Sequence, residues 1–135
     1  MTQKGWGAIA IVLVILIVGI LAAIAIVVFT GQSRKAYDAG AKQTLDTAQT
    51  AIETYRVDHG DFCGATVADL QAIEPTLNDA GSLSVSSCDS GDAQTYVLAV
   101  HSASTDGTAY TLTYADGLMA RTCAPAGNGC ANGTW

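Results

Sequence analysis

The chain contains, close to its N-terminus, the sequence AIAIVLVILIVGILAAIAIVV, which spans residues 8–28. None of these 21 residues carries a charge or a strongly polar side chain. A helix of this length extends roughly 30 Å at about 1.5 Å per residue, which is enough to cross the hydrocarbon core of a bilayer. The segment also explains why only 13% of the chain is charged while 50% is hydrophobic. Such a composition excludes an ordinary soluble enzyme.

The apolar segment allows three interpretations. A secretory signal peptide is the first, because Ala23-Ile24-Ala25 satisfies the small-residue cleavage pattern. The apolar region of a signal peptide is normally about 7–15 residues long, however, and here apolar residues continue beyond that site through positions 27–29. A plain membrane anchor is the second interpretation, and a helix that continues beyond the membrane is the third. Basic residues lie on both sides of the segment, so charge does not fix its orientation.

The helical pattern does continue beyond the apolar segment. Apolar side chains recur there at intervals of three or four residues and form one stripe: Tyr37, Ala41, Leu45, Ala48, Ile52 and Tyr55. Asp38 and Lys42 are four residues apart on the face expected to be exposed, where they are predicted to pair. Gly60 is the expected end of the helix. The pattern predicts one continuous helix over residues 6–58, apolar on all sides in its first half and amphipathic in its second.

All four cysteines lie beyond the apolar segment: Cys63, Cys88, Cys123 and Cys130. An even number of cysteines there indicates two disulfides in an oxidising compartment, so that the C-terminal part faces out of the cell. A zinc site is the alternative, but it normally includes two cysteines about two to four residues apart. The closest pair, Cys123 and Cys130, is more widely spaced. Three pairings of the cysteines are possible.

Residues 59–135 are expected to form a β-rich head, with a short helical turn over residues 67–73. Alternating apolar side chains predict four strands, near residues 83–85, 96–101, 110–114 and 118–122. Asp106-Gly107 and Asp116-Gly117 separate apolar runs and are typical of hairpin turns. The predicted fold class is α+β, a long helix packed through its apolar stripe on a four-stranded antiparallel β-meander.

The head offers few groups for chemistry. It carries eight acidic residues and one basic residue, Arg121, and this formal charge of −7 opposes nucleic-acid binding by a single subunit. His59 and His101 are expected to be solvated or to cap backbone groups. Asp89-Ser90-Gly91-Asp92 and Asp106 could ligate calcium, but a complete calcium loop needs more oxygen ligands at ordered spacing, so turn chemistry is preferred. No serine lies in a G-x-S-x-G motif. We therefore expect no catalytic residue, no metal and no cofactor.

Eight consecutive residues of the apolar segment carry a family resemblance: Gly19, Ile20, Leu21, Ala22, Ala23, Ile24, Ala25 and Ile26. They resemble, nearly letter for letter, the core of the N-terminal helix of type IV pilins and of the related type II secretion pseudopilins. Residues 35–38 (KAYD) and 53–62 (ETYRVDHGDF) also resemble bacterial pilins at the corresponding places. The resemblance covers the first 60 residues well and the head in outline.

The resemblance implies the pilin fold and a structural, non-enzymatic role, that of the subunit of a type IV pilus-like extracellular filament. The subunit is expected to wait in the cytoplasmic membrane as a single-pass protein with its C-terminus outside. It then assembles with copies of itself into a helical fibre on the bacterial cell surface, with residues 19–26 in the fibre core. The implied partners are the lipid bilayer, prepilin peptidase, the pilus assembly machinery and further copies of the chain.

The resemblance also assigns positions near the N-terminus. It places Gly5 where prepilin peptidase cleaves and Trp6 at the mature N-terminus, so that residues 1–5 form a short leader. The chain departs from the family pattern twice. Ala10 replaces the glutamate that is fifth in the mature chain, and Val27 replaces the helix-kinking proline.

Type IV pilins carry a disulfide-bounded region near the C-terminus. This implies a bond between Cys123 and Cys130, and with it a bond between Cys63 and Cys88. Two other functions stay open at this point. One is a minor pilin or type II secretion pseudopilin, and the other is a monomeric membrane-anchored surface protein with an acidic binding head.

Overall fold

The computed structural model describes residues 3–88, 91–127 and 129–135. Its helices are α1 (Gln3–His59) and α2 (Val67–Ile73), followed by a 3-10 helix over Pro75–Asp79. The strands are β1 (Ser84–Ser87), β2 (Tyr96–His101), β3 (Ala109–Ala115) and β4 (Leu118–Ala124). The predicted α+β fold, with a long N-terminal helix and a four-stranded antiparallel sheet, is confirmed. By its internal contacts the chain divides into two units, the first ending at Ser33 and the second comprising Arg34–Trp135.

The first unit is the apolar part of α1. The large hydrophobic side chains that the structure describes between Ile9 and Phe29 are 47–74% exposed. Within the described part of the chain, α1 is the one helix long and apolar enough to cross a membrane, and 0% of its most apolar window is buried. The described apolar side chains of this segment are therefore exposed rather than packed in a core.

The start of α1 differs slightly from its predicted position. The helix begins at Gln3 rather than Trp6, so residues 3–5 of the expected leader are helical, and Met1 and Thr2 lie outside the described residues. The helical backbone continues through Val27. This continuity is consistent with the absence of a proline, because a proline ring would remove one backbone hydrogen bond and clash with the preceding turn.

The second unit is built around the amphipathic half of α1. The predicted stripe is buried at Ala41, Leu45, Ala48, Ile52 and Tyr55, which are 0–8% exposed. The helix ends at His59, as expected from Gly60, which has a φ of +91° and donates its N–H to the carbonyl oxygen of Arg56 at 2.7 Å. Glycine adopts such a left-handed conformation without the steric penalty that a Cβ atom imposes.

The residue that is buried at the N-terminal end of the stripe is not the predicted one. Tyr37 is 52% exposed, whereas the neighbouring Asp38 is only 4% exposed. The buried face thus continues from Ala41 back by three residues rather than by four. Both intervals bring a residue close to the same helix face. The hydrogen bond that Asp38 accepts from Ser102, in the loop after β2, favours the shorter interval.

The four strands form a meander in the order β1-β2-β3-β4, with every neighbouring pair antiparallel. The sheet turns one face towards the core, where its inward side chains are 0–3% exposed: Tyr96, Leu98 and Val100 from β2, and Tyr110 and Leu112 from β3. The fully buried ring of Phe62 packs edge-on against Tyr96 at 4.7 Å and against Tyr114 at 5.9 Å. These contacts close the core between the end of α1 and the sheet.

The two expected hairpins are both present but differ in the length of their loops. Asp116 and Gly117 form the two-residue turn between β3 and β4, with φ values of +53° and +77°, as expected for a type I′ hairpin. Asp106-Gly107 lies within a longer loop over residues 102–108, which joins β2 and β3 as an antiparallel hairpin, so the predicted hairpin is present and its loop has seven residues. The loop is longer because Ser102, Ser104 and Thr108 turn inwards and are buried.

Two disulfides join the pairs that the pilin resemblance implies. Cys63 is bonded to Cys88, which links the end of α1 to the segment after β1, and Cys123 is bonded to Cys130 near the C-terminus. No cysteine is free. Both bonds lie within the second unit, so each one constrains the head when it unfolds.

Candidate functional site

The exposed apolar segment of α1 is the main candidate for a functional surface. Each large apolar side chain gains roughly 1.5–3 kcal/mol when it is removed from water, and this segment contains more than ten that are at least 47% exposed. Such a surface requires lipid or other protein around it. Gly19, Ala22, Ala23 and Ala25 are exposed on the same segment, and the Cβ position of Gly19 has no neighbour within 4 Å. Small residues of this kind allow a second helix to approach closely.

The segment offers no carboxylate to a partner. Ala10, where the pilin resemblance implies a glutamate, is exposed, and the first acidic residue along α1 is Asp38. Gly5 and Trp6, the expected cleavage site, lie in the helical backbone of α1. A neighbouring amine would therefore have to reach Asp38 to find a carboxylate on this helix, and Asp38 is 4% exposed.

Asp38 is fixed inside the head. Its Oδ1 atom accepts a hydrogen bond from the Ser102 hydroxyl at 2.7 Å. The prediction that Asp38 lies on the exposed face and pairs with Lys42 is thus wrong. Burying a carboxylate is costly unless hydrogen bonds replace its hydration, and Ser102, at the start of the loop after β2, supplies one.

Lys42 binds the C-terminal loop instead of Asp38. Its Nζ atom donates a hydrogen bond to the carbonyl oxygen of Gly129 at 2.7 Å and lies 5.3 Å from the ring centroid of Tyr110. Tyr110 is fully buried, and this burial, with the nearby Asp38 carboxylate, raises the pKa of its hydroxyl. We name these four residues, Asp38, Lys42, Tyr110 and Gly129, the loop-docking cluster. It holds the loop closed by Cys123 and Cys130 against α1.

The loop-docking cluster predicts a steric requirement at Gly129. A Cβ atom there would overlap the Tyr110 hydroxyl and lie 2.9 Å from Asp38. We expect Gly129→Ala to lower the free energy of unfolding by about 1–3 kcal/mol, because added atoms in a packed site force neighbours apart. Denaturant unfolding of the full chain in detergent micelles measures the change.

Gly127→Ala is the matched control in the same loop. The Cβ position of Gly127 has no neighbour within 4 Å, so alanine there is expected to be neutral or to stabilise by at most about 1 kcal/mol. Equal destabilisation by both substitutions would contradict the close approach at Gly129 and indicate a general loss of loop flexibility.

The remaining candidate residues lie apart from one another. The His59 ring stacks on Tyr55 at 4.0 Å with Nδ1 3.0 Å from the Tyr55 carbonyl oxygen, and His101 is exposed at the end of β2. Asp92 accepts a hydrogen bond from the Gln94 N–H, which is turn chemistry as expected, whereas Asp89 and Ser90 lie outside the described residues. Among the described residues no group of three or more potential metal ligands occurs.

The loop-docking cluster is the feature that sequence reasoning missed. Lys42 and Gly129 are separated by 87 residues, and Asp38 and Ser102 by 64. The one available indication was the pair of glycines between Cys123 and Cys130, which marks a loop able to approach another backbone closely but does not identify it. Comparison of the chain with protein-family models, with curated proteins and with solved structures finds no significant match in any of the three.

Proposed function

We propose that the chain is the structural subunit of a type IV pilus-like extracellular filament. The observation that carries this proposal is the run of exposed apolar side chains in the first half of α1. The second half of the same helix belongs to the buried core of the head. The resemblance of residues 19–26 to the N-terminal helix of type IV pilins names the kind of assembly. The subunit has a mechanical role and catalyses no reaction.

The proposed mechanism is a change of surroundings for one helix. Before assembly, lipid surrounds residues 8–28 and the subunit spans the cytoplasmic membrane once. During assembly the same segments of neighbouring subunits replace the lipid, so the apolar side chains stay out of water. Gly19 and the three alanines near it let these helices pack closely. The fibre is held together because exposing the segment to water costs roughly 1.5–3 kcal/mol per large side chain.

The head supports an extracellular location. Its two disulfides are typical of proteins that fold in an oxidising compartment. The formal charge of −7 on residues 59–135 keeps the heads soluble at the fibre surface. We place the mature chain in a filament on the bacterial cell surface, with prepilin peptidase and the pilus assembly machinery as its partners on the way there.

One observation favours a second candidate, a monomeric membrane-anchored surface protein. A buried unpaired charge at membrane depth costs at least about 2.5–3.5 kcal/mol, and a subunit cleaved after Gly5 would bring an N-terminal amine into the fibre core. Ala10 offers that amine no carboxylate, and Asp38 is already bound to Ser102. A chain that keeps its leader and stays in the membrane avoids this cost, because its amine remains at the aqueous surface.

Electron microscopy of material sheared from cells that produce the chain separates the two candidates. Abundant long filaments containing this chain support the filament subunit. Few short filaments indicate a minor pilin or pseudopilin, and chain found only in the membrane fraction supports the anchored monomer. The intact mass of the filament subunit tests processing, since a species without residues 1–5 supports cleavage after Gly5, and a full-length mass in assembled fibres contradicts it.

A further inference from the structure

The two disulfides of the head differ in their exposure to solvent. Cys63 is exposed and its partner Cys88 is half-buried. Cys123 is only 7% exposed, and its partner Cys130 is 2% exposed. A disulfide is reduced when a thiolate attacks one of its sulfur atoms, so the rate depends on access to the bond. The head thus contains one disulfide at solvent-accessible residues and one at buried residues.

The backbone at Cys88 is also unfavourable for a cysteine. Its φ is +60°, in the left-handed region that residues with a Cβ atom rarely adopt. Besides the disulfide, two backbone hydrogen bonds hold this conformation. The Cys88 N–H donates to the carbonyl oxygen of Thr95, and the Cys88 carbonyl oxygen accepts from the Gly91 N–H, each at 3.1 Å. Opening the disulfide removes one of these constraints, and exposed or strained disulfides are the ones most easily reduced.

The other disulfide is protected by its surroundings. The loop that it closes is held against α1 by the hydrogen bond from Lys42 Nζ to the carbonyl oxygen of Gly129. The Cys123 N–H donates to the carbonyl oxygen of Gly133 at 2.9 Å, which fixes the start of the same loop. A reductant reaches this disulfide only after the loop has moved away from the helix, and such local opening costs free energy.

We propose that the disulfide between Cys63 and Cys88 is a redox-sensitive switch, which a dithiol opens in the folded head while the disulfide between Cys123 and Cys130 stays closed. In the cell the matching partner is an oxidoreductase with a dithiol site, acting on the outer side of the membrane. The switch is a property of the head and does not depend on the proposed filament.

The opening reaction is thiol–disulfide exchange in two steps. A thiolate of the dithiol attacks the sulfur of Cys63, the more exposed partner, and the S–S bond breaks so that Cys88 leaves as a thiolate. The second thiolate of the dithiol then attacks the mixed disulfide, releases Cys63 and closes the dithiol to a disulfide of its own. The dithiol loses two electrons and two protons, and the two cysteines gain them and become thiols.

The opened switch is expected to loosen only one end of the head. The disulfide links the segment just after α1 to the segment just after β1. Phe62 connects the same regions independently, since its N–H donates to the carbonyl oxygen of Ala93 at 3.1 Å and its ring packs on Tyr96. The core therefore stays closed, while residues 60–64 and 91–95 gain freedom.

The test measures the reduction of each disulfide separately. The oxidised full chain in detergent micelles is incubated with dithiothreitol, alkylated with iodoacetamide at intervals and mapped by mass spectrometry. We expect alkylation of the Cys63 and Cys88 peptides to be at least about tenfold faster than alkylation of the other two cysteine peptides. In concentrated guanidinium chloride, which unfolds the head, the two disulfides should react at rates within about threefold of each other.

A second measurement examines the chain in which only the disulfide between Cys63 and Cys88 is open. We expect it to keep the aromatic near-ultraviolet circular dichroism of the folded head and to exchange amide hydrogens faster only in residues 60–64 and 91–95. Oxidised glutathione should restore the original exchange. Equal reduction rates in the folded chain, a tenfold difference that persists in guanidinium chloride, or loss of the circular dichroism when the first disulfide opens would each overturn the inference and leave the proposed function standing.

Discussion

Ile52→Ala is expected to lower the free energy of unfolding of the head by about 2–5 kcal/mol. Ile52 is fully buried in the stripe by which α1 packs on the sheet. The substitution removes three carbon atoms from a closed core, and the cavity that remains adds to the lost burial of apolar surface. Denaturant unfolding of the full chain in detergent micelles, followed by near-ultraviolet circular dichroism, measures the loss of tertiary packing.

Val57→Ala provides the control on the same helix. Val57 is 80% exposed, so its replacement is expected to change the free energy of unfolding by no more than about 0.5 kcal/mol. Alanine also has the higher helix propensity, which favours a slightly stabilising effect. Similar losses for the two variants would mean that α1 does not pack on the sheet through the Leu45–Tyr55 part of the stripe.

Removal of the disulfide between Cys63 and Cys88 is the other change with a large expected effect. The bond closes a loop with a sequence separation of 25 residues, for which the chain-entropy relation gives about 3.5 kcal/mol. Replacing both cysteines by serine should therefore lower the free energy of unfolding by about that amount. The measurement is again denaturant unfolding in micelles, under non-reducing conditions.

The second disulfide is the natural comparison. Cys123 and Cys130 are separated by only 7 residues, which gives about 2.4 kcal/mol for the corresponding double serine variant. Non-reducing peptide mapping of the exported protein is the check on pairing, with Cys63 joined to Cys88 and Cys123 joined to Cys130. Free thiols at these positions would contradict both the stabilising role and the oxidising compartment.

The helical stripe shows what could be predicted from the sequence and where prediction stopped. Leu45, Ala48, Ile52 and Tyr55 are buried as predicted, because their spacing places them on one helix face whatever they pack against. At the N-terminal end the pattern predicts a buried Tyr37 and an exposed Asp38, and the structure shows the reverse. Charged side chains are rarely buried, so the sequence favours an exposed Asp38. The partner that makes its burial possible, Ser102, lies 64 residues away, too far for a local pattern to reveal it.

The hairpin loops also show that a local sequence pattern does not reveal which distant residues become buried together. Asp116-Gly117 and Asp106-Gly107 have the same two residue types, yet only the first is a two-residue hairpin turn. The dipeptide sets which backbone conformations are favourable, but the length of the loop depends on which flanking residues are buried. In the loop over 102–108 those are serines and a threonine, which sequence alone places in solvent.

Only part of the candidate functional site could be predicted from the sequence. The apolar segment of α1 could be predicted fully, since its length and composition are local properties. The surroundings of this segment could not be predicted, because a single chain contains only one side of any contact with lipid or with another protein. The loop-docking cluster could not be predicted either, since Gly129 contributes a backbone carbonyl and an absent Cβ atom, and neither leaves a mark on hydrophobic patterning.

The buried contact between Asp38 and Ser102 determines how α1 and the sheet are aligned. Alanine, leucine and isoleucine in the stripe are similar enough that a shift of the helix along the sheet by one turn would still bring apolar side chains together. Such a shift would remove the carboxylate from the Ser102 hydroxyl and leave a buried charge without its partner, at a cost of several kcal/mol. The hydrogen bond between Asp38 and Ser102 thus favours one position of the helix along the sheet over positions shifted by a turn.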